Sequence, residues 1–259
     1  MNKFILVIFS LFLITCGYIV SLVPVTDILK LKNGYVLKSY DKEKGITYTV
    51  VDKKPRSWIK LNRIEKKSYS AIVISEDWSF YTHDGVDFNQ LTEALEDTLK
   101  GKRVRGASTI SQQVVKNLFT NGERTISRKI RELLGTLFLE KQLSKDKILE
   151  TYLNVIQYGD GLYGITNASQ FYFKKNASKL SVKESAFLAM LLPSPVRYSQ
   201  SFREKKLTDY AENTVNTILD KLAVAKYITK NEAVKLKNIR LSFEKSLEFQ
   251  DLVDYFDSL

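Results

Sequence analysis

Apolar and polar positions fall along this chain in three regimes. From Phe4 to Val25 the residues FILVIFSLFLITCGYIVSLVPV carry no charge over 22 positions, and roughly 20 apolar residues suffice for a helix to cross the hydrocarbon core of a bilayer. The pattern predicts a retained N-terminal transmembrane helix, an anchor within residues 1–26. A cleaved signal peptide fits less well, because no A-x-A-like site follows, and Thr15 is a poor residue before the cysteine of a lipoprotein site. Lys3 on one side and Lys30 with Lys32 on the other leave the orientation unset. Residues 27–70 are mixed, with a strand-like run Thr47–Val51 and a breaker at Pro55, and read as a connecting segment.

From Ala71 the period becomes helical. Asp87 and Gln90 make a D-x-x-Q start for a helix reaching about Lys100. A second helix is expected from about Ser108 to Phe119. A third starts near Glu123, with Ile126, Ile130, Leu133, Leu134, Leu137 and Phe138 as its apolar stripe. Ser144 caps a fourth, which carries Ile148, Leu149, Tyr152 and Leu153. Ser181 with Glu184 and Thr229 with Glu232 form capping boxes that open two more, and Tyr210 to Tyr227 is amphipathic between them. The predicted fold class is mainly α, with a main domain over 71–240 and a C-terminal tail, 241–259, of no assigned role.

Composition narrows the chemistry. At 259 residues the chain can bury a core as one domain or one domain with two lobes. Cys16 and His83 are the sole cysteine and histidine, which rules out an intrachain disulfide and a cysteine-based metal site and leaves little for a Ser-His-Asp triad. Acid–base work therefore falls to carboxylates, lysines or tyrosines. Charge is unevenly placed. Ala71 to Leu99 holds seven acids and no Lys or Arg, whereas Lys100 to Lys147 holds twelve Lys/Arg against four acids. Such a basic run suits a solvated face, a nucleic acid, an anionic lipid surface or a phosphorylated ligand.

Four constellations carry candidate chemistry. In the first, an apolar run Ala71–Ile74 leads into Glu76 and Asp77 among aromatics, ahead of His83, Gly85 and Asp87. Apolar surroundings disfavour a charged carboxylate and tune it towards general acid–base use. In the second, Gln112, Gln113 and Lys116 share one helical face, with Asn117 one turn from Gln113 and Ser108 near the helix start. Amides ending in a cation suit sugar hydroxyls and phosphate oxygens, and free N–H groups at a helix start suit an anion. In the third, Arg124, Arg128 and Glu132 form a stripe with Lys129 one turn from Glu132. Such neighbours favour an ionised carboxylate, and arginine matches phosphate oxygens bidentately. The fourth is Tyr152-Leu153-Asn154 followed by a glycine-rich turn around Gly159, Gly161 and Gly164, whose spacing is not that of a P-loop. Taken singly, each also fits a turn, a solvent-facing polar stripe or a salt-bridge ladder.

Read in order, ED-x-x-F-x-x-H-x-G-x-D, G-x-STI-x-QQ-x-x-KN, RK-x-x-E and ILE-x-YLN resemble the motif set of the family 51 glycosyltransferases. These are the glycan-polymerising domains of bifunctional penicillin-binding proteins and their monofunctional relatives. The resemblance covers roughly Ala71 to Arg197. It implies a lysozyme-like, two-lobed helical domain that polymerises lipid II by inverting transfer, with polyprenyl pyrophosphate leaving. It implies catalytic roles for Glu76, as base towards the acceptor 4-hydroxyl, and for Glu132, as its partner on the donor side. Lys116, Arg124, Arg128 and Lys129 would meet pyrophosphate, while Ser108, Gln112, Gln113 and Asn117 would hold sugar and phosphate groups. A divalent cation, Mg²⁺ or Mn²⁺, aids some members, with no organic cofactor, and no cluster here marks its site. The partners implied are lipid II, the growing lipid-linked glycan, the membrane and cell-wall synthesis proteins, not nucleic acid. The location implied is the bacterial cytoplasmic membrane, with the domain on the extracytoplasmic face. No KTG-like triad accompanies Ser57–Lys60 or Ser144–Lys147, so the resemblance is to a monofunctional enzyme. The competing class, a lytic transglycosylase or lysozyme, also uses carboxylates but needs no pyrophosphate cations.

Overall fold

The computed structural model describes residues 5–7, 9–10, 17, 23–42, 45–101, 108–120 and 125–244. Most of the expected span, Arg124 and the tail beyond Glu244 lie outside the described residues. Among the described residues no helix is long and apolar enough to cross a membrane.

In chain order the elements are α1 (Val25–Leu31), the strands β1 (Tyr35–Asp41) and β2 (Gly45–Val51), then α2 (Lys66–Glu76), α3 (Phe88–Leu99), α4 (Ile110–Phe119), α5 (Ile126–Gln142) and α6 (Lys145–Val155). Two short strands follow, β3 (Gln157–Gly159) and β4 (Leu162–Tyr163), then α7 (Ile165–Phe173), α8 (Val182–Leu191), α9 (Pro195–Tyr198), α10 (Gln200–Arg203), α11 (Asp209–Val224) and α12 (Lys230–Asn238). The fold is mainly helical, as expected.

The helices start where side-chain oxygens can take over unsatisfied N–H groups. Asp87 Oδ1 accepts from Gln90 N at 3.0 Å to open α3, and Ser144 Oγ accepts from Lys147 N at 3.2 Å to open α6. Both later capping boxes, Ser181 with Glu184 and Thr229 with Glu232, are complete. Each cap of this kind contributes about 1 kcal/mol. Two starts fall within one or two residues of the expected positions. It is Thr109, not Ser108, that caps α4 with an extended backbone, and the described part of α5 opens at Ile126 behind Thr125.

Residues 27–70, expected to be a connecting segment, carry α1 and an antiparallel hairpin in register from Tyr35↔Val51 to Asp41↔Gly45. The strand-like run Thr47–Val51 is β2, and β1 is an addition. Its mixed run YVLKSYD is largely exposed beyond Val36 and so lacks clean alternation.

The chain divides into two compact units, Met1–Leu61 with Glu76–Ile156, and Asn62–Ser75 with Gln157–Leu259. In the first, α4 packs against both α5 and α6. Ile110, Val114 and Val115 of α4, Leu139 of α5 and Ile148, Leu149 and Leu153 of α6 are wholly buried there. Burial of each such side chain stabilises by roughly 1.5–3 kcal/mol. Gly135 permits the close α4–α5 approach, because a Cβ there would stand 2.9 Å from Val115 Cγ1. The segment before α2 is clamped onto α6: Trp58 Nε1 and Leu61 N donate to the two oxygens of Glu150 at 2.9 and 3.0 Å. Asn154 pairs with Ile59 on both sides, accepting from its N and donating to its O, each at 2.9 Å.

The second unit is built around α8, buried at every position from Val182 to Leu191, its run Ala186–Leu191 apolar on all sides. Its two charged residues are satisfied, Lys183 by the carbonyl of Lys237 at 2.8 Å and Glu184 by Lys175 at 2.7 Å.

Candidate active site

Glu76 is the last residue of α2 and is half-buried. Its Oε2 accepts from Gln113 Nε2 at 3.0 Å, and the Tyr152 hydroxyl lies 3.4 Å from the same oxygen and 3.3 Å from Gln113 Oε1. Three motifs separated in sequence thus meet at one carboxylate, through α2, α4 and α6. Burial pushes the Glu76 carboxyl above its ordinary value; hydrogen bonds from Gln113 and Tyr152 pull back, and the neighbouring Asp77 charge adds to the rise. A carboxylate so placed, held by neutral donors, is suited to accept a proton from a hydroxyl.

Asp77 points elsewhere. It is buried, accepts from Ile110 N at 2.9 Å and bonds His83 Nε2 at 2.9 and 3.0 Å. Gly85 N donates to His83 Nδ1 at 2.9 Å, which assigns the ring proton to Nε2 and makes His83 the donor to Asp77. Thr109 Oγ1 donates to Gly85 O at 2.6 Å. The loop between α2 and α3 is therefore tied to the start of α4. Gly85 has φ +91°, and a Cβ there would stand 2.8 Å from both Glu140 Cγ and Thr136 Cγ2. Only glycine fits both constraints. At the loop's far end, burial opposes charge on Asp87, but hydrogen bonds from Ser79 and Gln90 outweigh it and hold the carboxyl below its ordinary value.

Glu132, on α5, has a different environment. Only 2% of its side chain is exposed, and it pairs with Arg128 Nη1 at 3.0 Å and Lys129 Nζ at 2.6 Å. Arg128 Nε is buried and has no hydrogen-bond partner among the described residues.

The other expected residues are distributed unevenly. Lys116 is exposed in the last turn of α4, Asn117 is half-buried beside it, and Ser108 is half-buried just ahead of the Thr109 cap. Gln112 is buried, and its Oε1 accepts from Thr109 N at 3.1 Å. Gln112 thus caps its own helix, while Gln113 faces the carboxylate. The helix start is also occupied: Ile110 N goes to Asp77 and Gln112 N to Thr109 Oγ1. Among the described residues no three His, Cys, Asp or Glu side chains converge to hold a metal ion.

Sequence reasoning missed Asp77 as the organiser, together with Glu140 and Lys145. Lys145 Nζ donates to Glu140 Oε1 at 2.7 Å and to His83 O at 2.6 Å, and Ser111 Oγ donates to the same Glu140 oxygen. Lys145 lies beside the ILE-x-YLN motif, but its target, a backbone carbonyl 62 residues away, leaves no trace in local pattern.

Residues 43–223 match the protein family described as Transglycosylase. The biosynthetic peptidoglycan transglycosylase of Nitrosospira multiformis is 40% identical over 169 residues, which is 65% of this chain and 72% of that protein. That of Pasteurella multocida is 44% identical over 139 residues, 54% of this chain and 56% of that one. Penicillin-binding protein 4 of Bacillus subtilis is 36% identical over 239 residues, 90% of this chain and 37% of that one. The chain spans well under two thirds of the length of the Bacillus and Pasteurella relatives. With Glu76 set among its motif partners and the match running from β2 through α2 to α10 and most of α11, the chain belongs to the transglycosylase family, the family 51 glycosyltransferases.

Proposed function

We propose that this protein polymerises lipid-linked disaccharide into β-1,4-linked peptidoglycan strands. The observation that carries this reading is the half-buried Glu76 carboxylate, hydrogen-bonded by Gln113, beside the Tyr152 hydroxyl, and raised above its ordinary value. In the step proposed, Glu76 takes the proton of the acceptor sugar's 4-hydroxyl as that oxygen attacks C1 of the donor sugar. The C1–oxygen bond to pyrophosphate breaks with inversion, and polyprenyl pyrophosphate leaves with the bonding electrons. The departing charge needs fixed cations. Lys116 is exposed to solvent and Lys129 is half-exposed beside Glu132, while Arg128 pairs with Glu132 through Nη1 at 3.0 Å. Glu132 serves to hold Arg128 and Lys129 in place rather than to move a proton. Arg124, Ser108 and Asn117 are assigned to substrate on the family's pattern, and Gln112 to the helix cap.

The same reading makes lipid II and the growing lipid-linked glycan the partners, alongside other cell-wall synthesis proteins. It puts the protein at the cytoplasmic membrane, held by the uncharged run Phe4–Val25, with its domain on the extracytoplasmic face. The described residues offer no protein cluster for a divalent cation, so no step is assigned to one. The deciding experiment incubates the purified chain with lipid II, with and without Mg²⁺, and in parallel with finished glycan. Polymer from lipid II and intact glycan is the expected outcome. Cleaved glycan without polymer would replace this reading with a lytic one.

A further inference from the structure

A polar knot of Ser111, Glu140, Lys145 and the His83 carbonyl ties the loop between α2 and α3 to α4, the helix that carries the donor to Glu76. Ser111 is wholly buried, and Glu140 is 7% exposed by its side chain. A charge so withdrawn from water needs compensation, and Lys145 supplies it at 2.7 Å. The Lys145 ammonium also lies 4.7 Å over the Phe80 ring and donates to His83 O at 2.6 Å. One lysine therefore holds the loop at its carbonyl, at its aromatic residue and, through Glu140, at Ser111 of α4.

Ser111 is two residues from Gln113, the donor to Glu76. The loop and α4 meet a second time at Asp77, which takes the Ile110 N–H and the His83 ring proton. Without the pair, His83 and Ser111 each lose a charge-assisted hydrogen bond, and the only remaining ties between loop and helix described above are Asp77 and the Thr109–Gly85 bond. We propose that Lys145 and Glu140 are a positioning pair that fixes α4 against the loop and so sets the hydrogen bond between Gln113 and the Glu76 carboxylate. This rests on Glu76 being the base, and neither residue of the pair touches substrate.

The test uses the full chain and the variants Lys145→Met, Lys145→Arg, Glu140→Gln and Gln113→Ala. The Glu76 carboxyl is titrated by carbon-13 NMR without substrate, its signal assigned through Glu76→Gln, and kcat and KM are measured with lipid II. Gln113 donation favours the ionised form, so Lys145→Met is expected to move the Glu76 midpoint upward, in the same direction as Gln113→Ala. It should lower kcat by about tenfold to a hundredfold while KM changes by less than about threefold, as for a misplaced catalytic group. Lys145→Arg should recover most of the shift. In the double variant Lys145→Met/Gln113→Ala the midpoint should stay where Gln113→Ala alone leaves it. An unmoved midpoint, with activity lost only in proportion to the unfolded fraction, would overturn the proposal, as would additive shifts in the double variant. Should Lys145→Met fail to fold, Glu140→Gln, which keeps size and an acceptor oxygen, carries the same expectations and the same contrary outcomes. If the wild-type chain makes no polymer, the functional reading fails, while the NMR titration still decides the positioning pair.

Discussion

Glu76 and Glu132 are both withdrawn from water, yet they are held by opposite means. Glu76 sits at the end of α2 with an amide and a phenol as neighbours, Gln113 and Tyr152. Glu132 is clasped by two cations, Arg128 and Lys129. Neutral donors steady a carboxylate without supplying the full charge that burial removes, so Glu76 stays raised and able to take up a proton. At Glu132 two cations set full opposite charges against a carboxylate that is only 2% exposed, and are themselves kept in place by it. The two glutamates differ in what surrounds them, neutral donors at Glu76 and two cations at Glu132, and the proposed division into proton transfer and charge placement rests on that difference.

The largest effect that bears on this contrast is expected from Glu76→Gln. It should lower lipid II turnover by about 10²–10⁴-fold, the worth of a general base. Stability should move the other way. Because burial raises the folded pKa of Glu76 above its unfolded value, the native state holds that proton more tightly, and stability falls as pH climbs from the ordinary carboxylate range through the raised value. The glutamine variant is free of that loss, so its melting temperature should match or exceed wild type at pH 7.5, with the gap closing near pH 4. A variant that melts well below wild type at pH 7.5 would contradict the burial argument.

Breaking the other site should cost stability first. Arg128→Met leaves a 2%-exposed carboxylate with one of its two cations, and denaturant unfolding should register a loss of about 3 kcal/mol. Lys129→Met removes a half-exposed partner and should cost less than about 1 kcal/mol, its main effect being a higher KM for lipid II. Equal stability losses in the two variants would remove the distinction between an inner and an outer cation. Gly85→Ala tests the loop that is tied to the start of α4, the helix that brings Gln113 to Glu76. Its left-handed φ and the crowding by Glu140 and Thr136 should together cost about 2 kcal/mol in thermal or chemical unfolding. Smallest in rate is Tyr152→Phe. Loss of a hydrogen bond that lowers the Glu76 pKa should shift the acid limb of kcat/KM to higher pH, with only a few-fold change at the optimum.

The helical plan was legible because helix starts are written in short range. Asp87 with Gln90, Ser144, Ser181 with Glu184 and Thr229 with Glu232 all act over three residues. Glu76 was legible from its apolar lead-in, and the Glu132 stripe from helical spacing. What escaped depends on distance along the chain. Asp77 reaches Ile110 across 33 residues and Lys145 reaches His83 across 62. Gln112 and Gln113 are adjacent and chemically identical, and only the position of the Thr109 cap decides that one closes its own helix and the other meets the carboxylate. The hairpin was half legible, since β2 alternates its exposure more than β1 does.

The clamp between α6 and the stretch from Trp58 to Leu61 also has a consequence in time. Its hydrogen bonds join residues 89–95 positions apart, and chains are made at about 5–20 residues per second. The early segment must therefore wait roughly 5–20 s during synthesis before Glu150 and Asn154 exist to receive it. Until then the Trp58 indole N–H and the backbone groups of Ile59 and Leu61 lack the α6 side chains they bond in the fold, and the first of the two units cannot close.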